Sequence, residues 1–224
     1  MIAYIAARIT IEVVSAIACF ILLRFMAKPF IATGETRYLG LPLGFGFLGA
    51  SYTFSAISYL PEFNFQNWGW IQLFIRSFAF LLLATTYYFS NSKKKSKTLW
   101  TSAIGIIIAM LISIILFAII SPEISRPVYV QYYIFLRFAN FIILWYIIIN
   151  GLKSLIGPID RTTIVSPFGY IFLSIDQYSS IIWVVDSSHL AHFGGLIFRL
   201  LGLAVLLFVS YSVFCKSEKR ENTW

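Results

Sequence analysis

Seven stretches of this chain stay apolar for about twenty residues or more, at about 2–25, 38–60, 68–90, 98–121, 128–150, 164–185 and 190–214. A helix rises ~1.5 Å per residue, so each stretch is long enough to cross the ~30 Å hydrocarbon layer of a bilayer. The balance of side chains excludes the soluble alternatives. Of 224 residues, 59% are hydrophobic and 12% charged, against roughly 25% charged in soluble domains. So few polar groups cannot cover that much apolar surface in water. A disordered chain is excluded for the same reason, and two cysteines exclude a disulfide scaffold.

The breaks between the stretches carry turn chemistry: Lys28-Pro29 with Gly34, Pro61, the Asn91–Lys97 run, Pro122 with Pro127, Gly157-Pro158, and Asp186-Ser187-Ser188. Each loop is short, which predicts that neighbouring spans are antiparallel and adjacent. The expected fold is an all-α membrane protein. It has one seven-helix transmembrane domain over residues 1–215 and a short tail at 216–224.

The net charge is +8, but the basic residues punctuate the apolar runs instead of forming a groove, so nucleic acid is not an expected partner. Four of the 17 basic residues are arginines within the spans, Arg8, Arg76, Arg137 and Arg199. Of the other thirteen, twelve lie in the odd-numbered loops and the tail, and Arg126 stands alone on the opposite side. Positively charged loops stay in the cytoplasm, which predicts an outside N-terminus, a cytoplasmic C-terminus and a place in the plasma membrane. Ala16-Ile17-Ala18-Cys19 resembles a signal-peptide cleavage site. No basic segment precedes it, however, and Arg8 and Glu12 interrupt the apolar run, so the first span is expected to be retained.

Three of the arginines sit in related segments: Leu73-Phe74-Ile75-Arg76, Ile134-Phe135-Leu136-Arg137 and Leu196-Ile197-Phe198-Arg199. Pro61-Glu62 and Pro122-Glu123 precede their arginines at the same spacing, since 76 − 61 and 137 − 122 both equal 15. Asp186 takes the acidic place in the third unit. The period of about 62 residues predicts one helix followed by three hairpin repeats in parallel orientation. Many secondary transporters are instead built from inverted repeats.

Helical rise then sets depth. Arg76, Arg137 and Arg199 each lie about nine residues, ~14 Å, inside the outer end of their helix. Asp176 and Glu12 reach a similar depth, with Arg8 one turn above. A charge at that level costs roughly 2.5–3.5 kcal/mol on insertion scales, so such groups face the bundle and find partners. Arg8 and Glu12 are spaced to pair within one helix, and Asp176 matches Arg199 on the neighbouring helix. Two acids cannot neutralise four arginines. The surplus makes Arg76, Arg137, Arg199, Asp176, Glu12 and Arg8 the candidate binding residues for a small anion. Gln72, Gln131, Asn140 and Gln177 are the neutral groups placed to orient it.

Other patterns compete with that layer. Asp186, His189 and His192 are spaced three apart, which on one helix face suits Zn²⁺ or Cu²⁺, with Glu62 and Glu123 at equivalent outer corners. The same Asp186-Ser187-Ser188 segment also suits a helix N-cap. Gly49-Ala50-Ser51 and Ala191-His192-Phe193-Gly194-Gly195 resemble, over fewer than a dozen residues, the serine and histidine segments of rhomboid intramembrane proteases. The pattern departs from that family at Tyr52, which replaces the glycine after the nucleophile, and in the 192 − 51 = 141 residues between serine and histidine. No lysine lies within 190–214, which removes the anchor for a retinal Schiff base. Gly40-x-x-x-Gly44 reads as a helix packing seam.

The expected function is a non-enzymatic, receptor-like or sensory membrane module that takes a small anion from outside and needs no cofactor. A transporter or channel for a small anion or solute, and a non-catalytic subunit of a larger membrane complex, are the alternatives. The expected partners are the lipid bilayer, that anion and a protein partner within the membrane.

Overall fold

The computed structural model describes residues 2–33, 39–59, 69–89, 96–120, 126–153 and 165–221. They form seven α-helices: α1 (Ile2–Thr33), α2 (Gly40–Ile57), α3 (Gly69–Phe89), α4 (Ser96–Ile120), α5 (Arg126–Lys153), α6 (Ser166–Asp186) and α7 (His189–Glu221). Five of them, α1, α3, α5, α6 and α7, are long and apolar enough to cross a membrane. Of the other two, α2 has 18 residues, diluted by Gly40, Gly44, Gly46 and Gly49, and α4 is apolar over at least Thr101–Phe117.

Two helices outrun their expected ends. α1 continues through Pro29 to Thr33. A proline removes one ladder hydrogen bond and its ring crowds the carbonyl four residues earlier, here that of Phe25. α7 continues past 215 to Glu221, so the expected tail is helical over most of its length. Between α6 and α7 the turn is tight. Ser187 takes a left-handed conformation at φ 51°, and the Ser188 hydroxyl accepts the Ala191 N–H at 3.3 Å, capping α7.

Six helices close a ring in the order α1, α2, α3, α5, α6, α7 and back to α1. α4 lies outside it, against α3. The expectation that sequential helices are neighbours therefore fails at α4 and α5, because α3 takes the place beside α5. Trp70 and Phe74 of α3 hold Phe117 of α4, with ring centroids 4.8 and 5.1 Å apart. Phe117 reaches α5 at Tyr132. An electrostatic difference accounts for this order. α3 and α5 each carry an arginine that must be kept from lipid, whereas Thr101–Phe117 carries no charge and can face hydrocarbon at no penalty. The three hairpins are accordingly not equivalent in packing: α2–α3 and α6–α7 pack along their lengths, and α4–α5 does not.

Inside the ring the core is layered. Toward the ends of α1, α3, α5 and α7, it is apolar and fully buried: Leu22, Phe45, Leu48, Phe80, Leu83, Leu144, Ile147, Leu173 and Leu203 all belong to one cluster. Close helix contacts make this possible. A Cβ on Gly202 of α7 would lie 2.7 Å from the Gly169 carbonyl oxygen of α6. The proposed seam on α2 packs in the same way, Gly40 against Thr86 and Gly44 against Leu83 of α3. Above this apolar block, at the middle of the ring, each of α1, α2, α3, α5, α6 and α7 turns a polar or charged residue inward.

Candidate functional site

Arg199 on α7 is the most fully paired member of this layer. Its Nε donates to Asp176 Oδ2 at 3.2 Å and its Nη2 to Asp176 Oδ1 at 3.1 Å, a two-pronged contact with α6. Nη1 lies 2.9 Å from Glu12 Oε2 of α1, an ion pair at an angle too poor for a hydrogen bond. One guanidinium thus ties three helices together. The fork geometry of arginine and the planarity of the carboxylate favour this arrangement.

The network extends to α5 through an amide. Gln177 Nε2 donates to Asp176 Oδ2 at 3.0 Å, and Gln177 Oε1 accepts from Arg137 Nη1 at 2.9 Å. The Arg137 guanidinium also lies 5.0 Å from the centre of the Tyr133 ring. On the other side, Arg76 Nε donates to Ser51 Oγ at 3.2 Å, and that hydroxyl in turn donates to the Gln72 carbonyl at 2.9 Å. Tyr52 stands between two cations. Its ring centre is 4.6 Å from the Arg76 guanidinium carbon and 4.8 Å from that of Arg199. Facing a ring to a cation recovers part of the hydration the cation has lost.

Arg8 takes a different place from the one its spacing suggests. Glu12 is drawn to Arg199, and the Arg8 guanidinium sits over Tyr59 at 4.1 Å and Trp183 at 5.3 Å. Trp183 in turn packs on His192 with ring centroids 4.5 Å apart. Arg8, Tyr59, Trp183 and His192 make an aromatic and basic rim above the charged layer.

Several buried polar atoms in the layer have no hydrogen-bond partner within the protein: Arg76 Nη2, Arg137 Nε, both amide atoms of Asn140, and the Tyr52 hydroxyl. Their residues are almost wholly buried, at 1% exposure for Arg76, 5% for Arg137 and 0% for Asn140 and Tyr52. Buried polar atoms of this kind are satisfied by water or by a guest, since leaving them bare costs ~1–3 kcal/mol each. Charge points the same way. Among the described buried residues, three arginines (Arg76, Arg137, Arg199) face two carboxylates (Glu12, Asp176), which leaves +1.

The outer Asp186, His189 and His192 do not converge. The left-handed Ser187 ends one helix before the next begins, so Asp186 and the histidines do not share a continuous helical face. Asp186 and His189 are exposed, and His192 is buried against Trp183. Among the described residues, no group of three or more His, Cys, Asp or Glu side chains is arranged to hold a metal ion. Glu62 and Glu123 lie outside the described residues. Ser51 and His192, the two residues of the protease-like pattern, are engaged separately, Ser51 by Arg76 and Gln72 and His192 by Trp183.

Of the neutral groups expected near a guest, Asn140 and Gln177 are fully buried in the layer, whereas Gln131 is exposed. The sequence reading missed Ser51 and Tyr52 as partners of the arginines. Their position near the middle of α2, at the depth of Arg76, was the signal that could have found them. The chain matches no family model, no curated protein and no solved structure.

Proposed function

We propose that this chain is a receptor-like membrane module whose buried arginine layer accepts a small anion from the outer side of the plasma membrane. The observation that carries this reading is the pairing deficit of the layer. It has one more cation than carboxylate and guanidinium donors with no protein partner, all nine-tenths buried or more. In a low-dielectric wall, charge-assisted hydrogen bonds to an anion are stronger than in water.

The layered core supports reception over passage. The rim of Arg8, Tyr59, Trp183 and His192 lies on the outer side in the orientation set by the basic loops. The inner side is filled by the apolar block that includes Phe45, Leu48, Phe80, Leu83 and Leu144. The side chains of that block are mainly apolar, which disfavours an anion passing onward. The module passes its state to a separate protein partner in the membrane, and no catalytic step is assigned to it.

The test is the stability of the purified protein in nanodiscs under increasing concentrations of carboxylates, phosphates and inorganic anions. Binding to the folded state raises the unfolding temperature with concentration by mass action. Arg76→Gln and Arg137→Gln are expected to reduce that rise more than Arg126→Gln at the start of α5. Equal shifts in wild type and all variants would sink the reading. Anion flux through protein-containing liposomes would favour transport instead.

A further inference from the structure

The three arginines of the layer are not equivalent, and the difference narrows both the holders of the guest and its charge. Arg199 is occupied: Nε and Nη2 by Asp176, Nη1 by Glu12. Arg76 and Arg137 each keep a guanidinium nitrogen with no partner, Nη2 and Nε respectively. Asn140 stands three residues after Arg137 on the same side of α5, fully buried, with its amide nitrogen and oxygen both unpartnered. α3, which carries Arg76, and α5, which carries Arg137, pack against each other directly.

Resting on the anion-receptor reading, we infer that the guest is a planar monovalent oxyanion held by Arg76 and Arg137 with Asn140, and that Arg199 acts as a structural clasp. Two lines lead to valence and shape. The buried layer carries three arginines against two carboxylates, so a single negative charge neutralises it, whereas a dianion would bury an excess charge of the opposite sign. Arg8 is counted apart from this sum: it is half-buried in the rim, over Tyr59 and Trp183, although its Nε is also buried without a hydrogen-bond partner. The free donors are planar N–H groups on two guanidiniums and one amide, which match the in-plane lone pairs of a carboxylate or nitrate. A small organic carboxylate and an inorganic monovalent oxyanion share that chemistry.

The experiment compares sodium acetate, nitrate, malonate and sulfate, each against sodium HEPES at equal ionic strength. The readout is the unfolding temperature of the full chain in nanodiscs. Acetate and nitrate are expected to raise it in a saturable manner, and malonate and sulfate are not. Acetate acting at the lower concentration assigns the guest to organic acids, and nitrate doing so assigns it to inorganic anions. Arg137→Gln takes the layer to neutrality and should weaken acetate binding at least tenfold. Glu12→Gln and Asp176→Asn each add a positive charge, and whichever variant folds should shift preference toward malonate and sulfate. Stabilisation by the divalent anions alone in wild type would overturn this inference and leave the anion-receptor reading standing. No stabilisation by any of the four would remove both.

Discussion

Arg199 holds its place because removing any one partner leaves a charge stranded in hydrocarbon-like surroundings. Asp176 accepts three hydrogen bonds, two from Arg199 and one from Gln177, so its loss also loosens the link to Arg137. Breaking a buried ion pair from one side costs ~3–5 kcal/mol, whereas removing both charges is much milder. Asp176→Asn is therefore expected to destabilise the bundle strongly, and Asp176→Asn with Arg199→Gln to recover part of the loss. Unfolding in a graded denaturing detergent measures this cycle, and additive losses would rule out the coupling. The pairing of Asp176 with Arg199 was legible in the sequence, because depth on neighbouring helices is simple arithmetic. Glu12 was not. An intrahelical pair with Arg8 contributes only ~0.2–0.5 kcal/mol, and it gave way to an arginine already oriented by a second carboxylate. Nothing in the spacing of Arg8 and Glu12 shows what α7 presents to α1.

At the scale of elements, α6 and α7 meet where neither has a side chain. Gly169 and Gly202 face each other so closely that a Cβ on Gly202 would be 2.7 Å from a backbone oxygen, which no rotamer change can relieve. Gly202→Ala is expected to push the helices apart and cost ~1–3 kcal/mol, the usual range for overpacking a tight contact. Gly105 on α4, with open space around it, is the control, and its alanine variant should be neutral or slightly stabilising because alanine favours helix. Equal losses at both glycines would show that the contact is not the cause. The same contrast explains what the sequence could give of the architecture. Helix number and approximate bounds follow from apolar length and turn residues, so all seven elements were readable. The place of α4 was not, because its apolar stretch Thr101–Phe117 carries no charge that must find a partner. The arginines of α3 and α5 turn into the interior, and α4 stands outside the ring.

For the whole molecule, the remaining question is which face of the bundle looks outward, since access to the arginine layer depends on it. The helices of each well-packed hairpin run antiparallel: Gly40 lies by Thr86 and Gly44 by Leu83 across α2 and α3, and Gly169 lies by Gly202 and Leu206 across α6 and α7. Seven crossings, the number the apolar runs of the sequence predict, would put the two termini on opposite faces. The aromatic rim then belongs to the N-terminal face and the apolar block to the C-terminal one. In the sequence, twelve of the thirteen basic residues outside the expected apolar cores cluster at the odd-numbered breaks and the tail, which under the positive-inside rule predicts that the C-terminal face is cytoplasmic. In a background with Cys19 and Cys215 replaced by serine, single cysteines at Glu62, Glu123 and Ser187 should react with a membrane-impermeant maleimide applied to intact cells. Those at Lys94 and Ser154 should react only after the membrane is opened. Labelling of Lys94→Cys from outside would invert the bundle, turn the apolar block toward the exterior and leave the arginine layer reachable only from the cytoplasm. The reception of an external anion would then be untenable, whatever anions the purified protein binds.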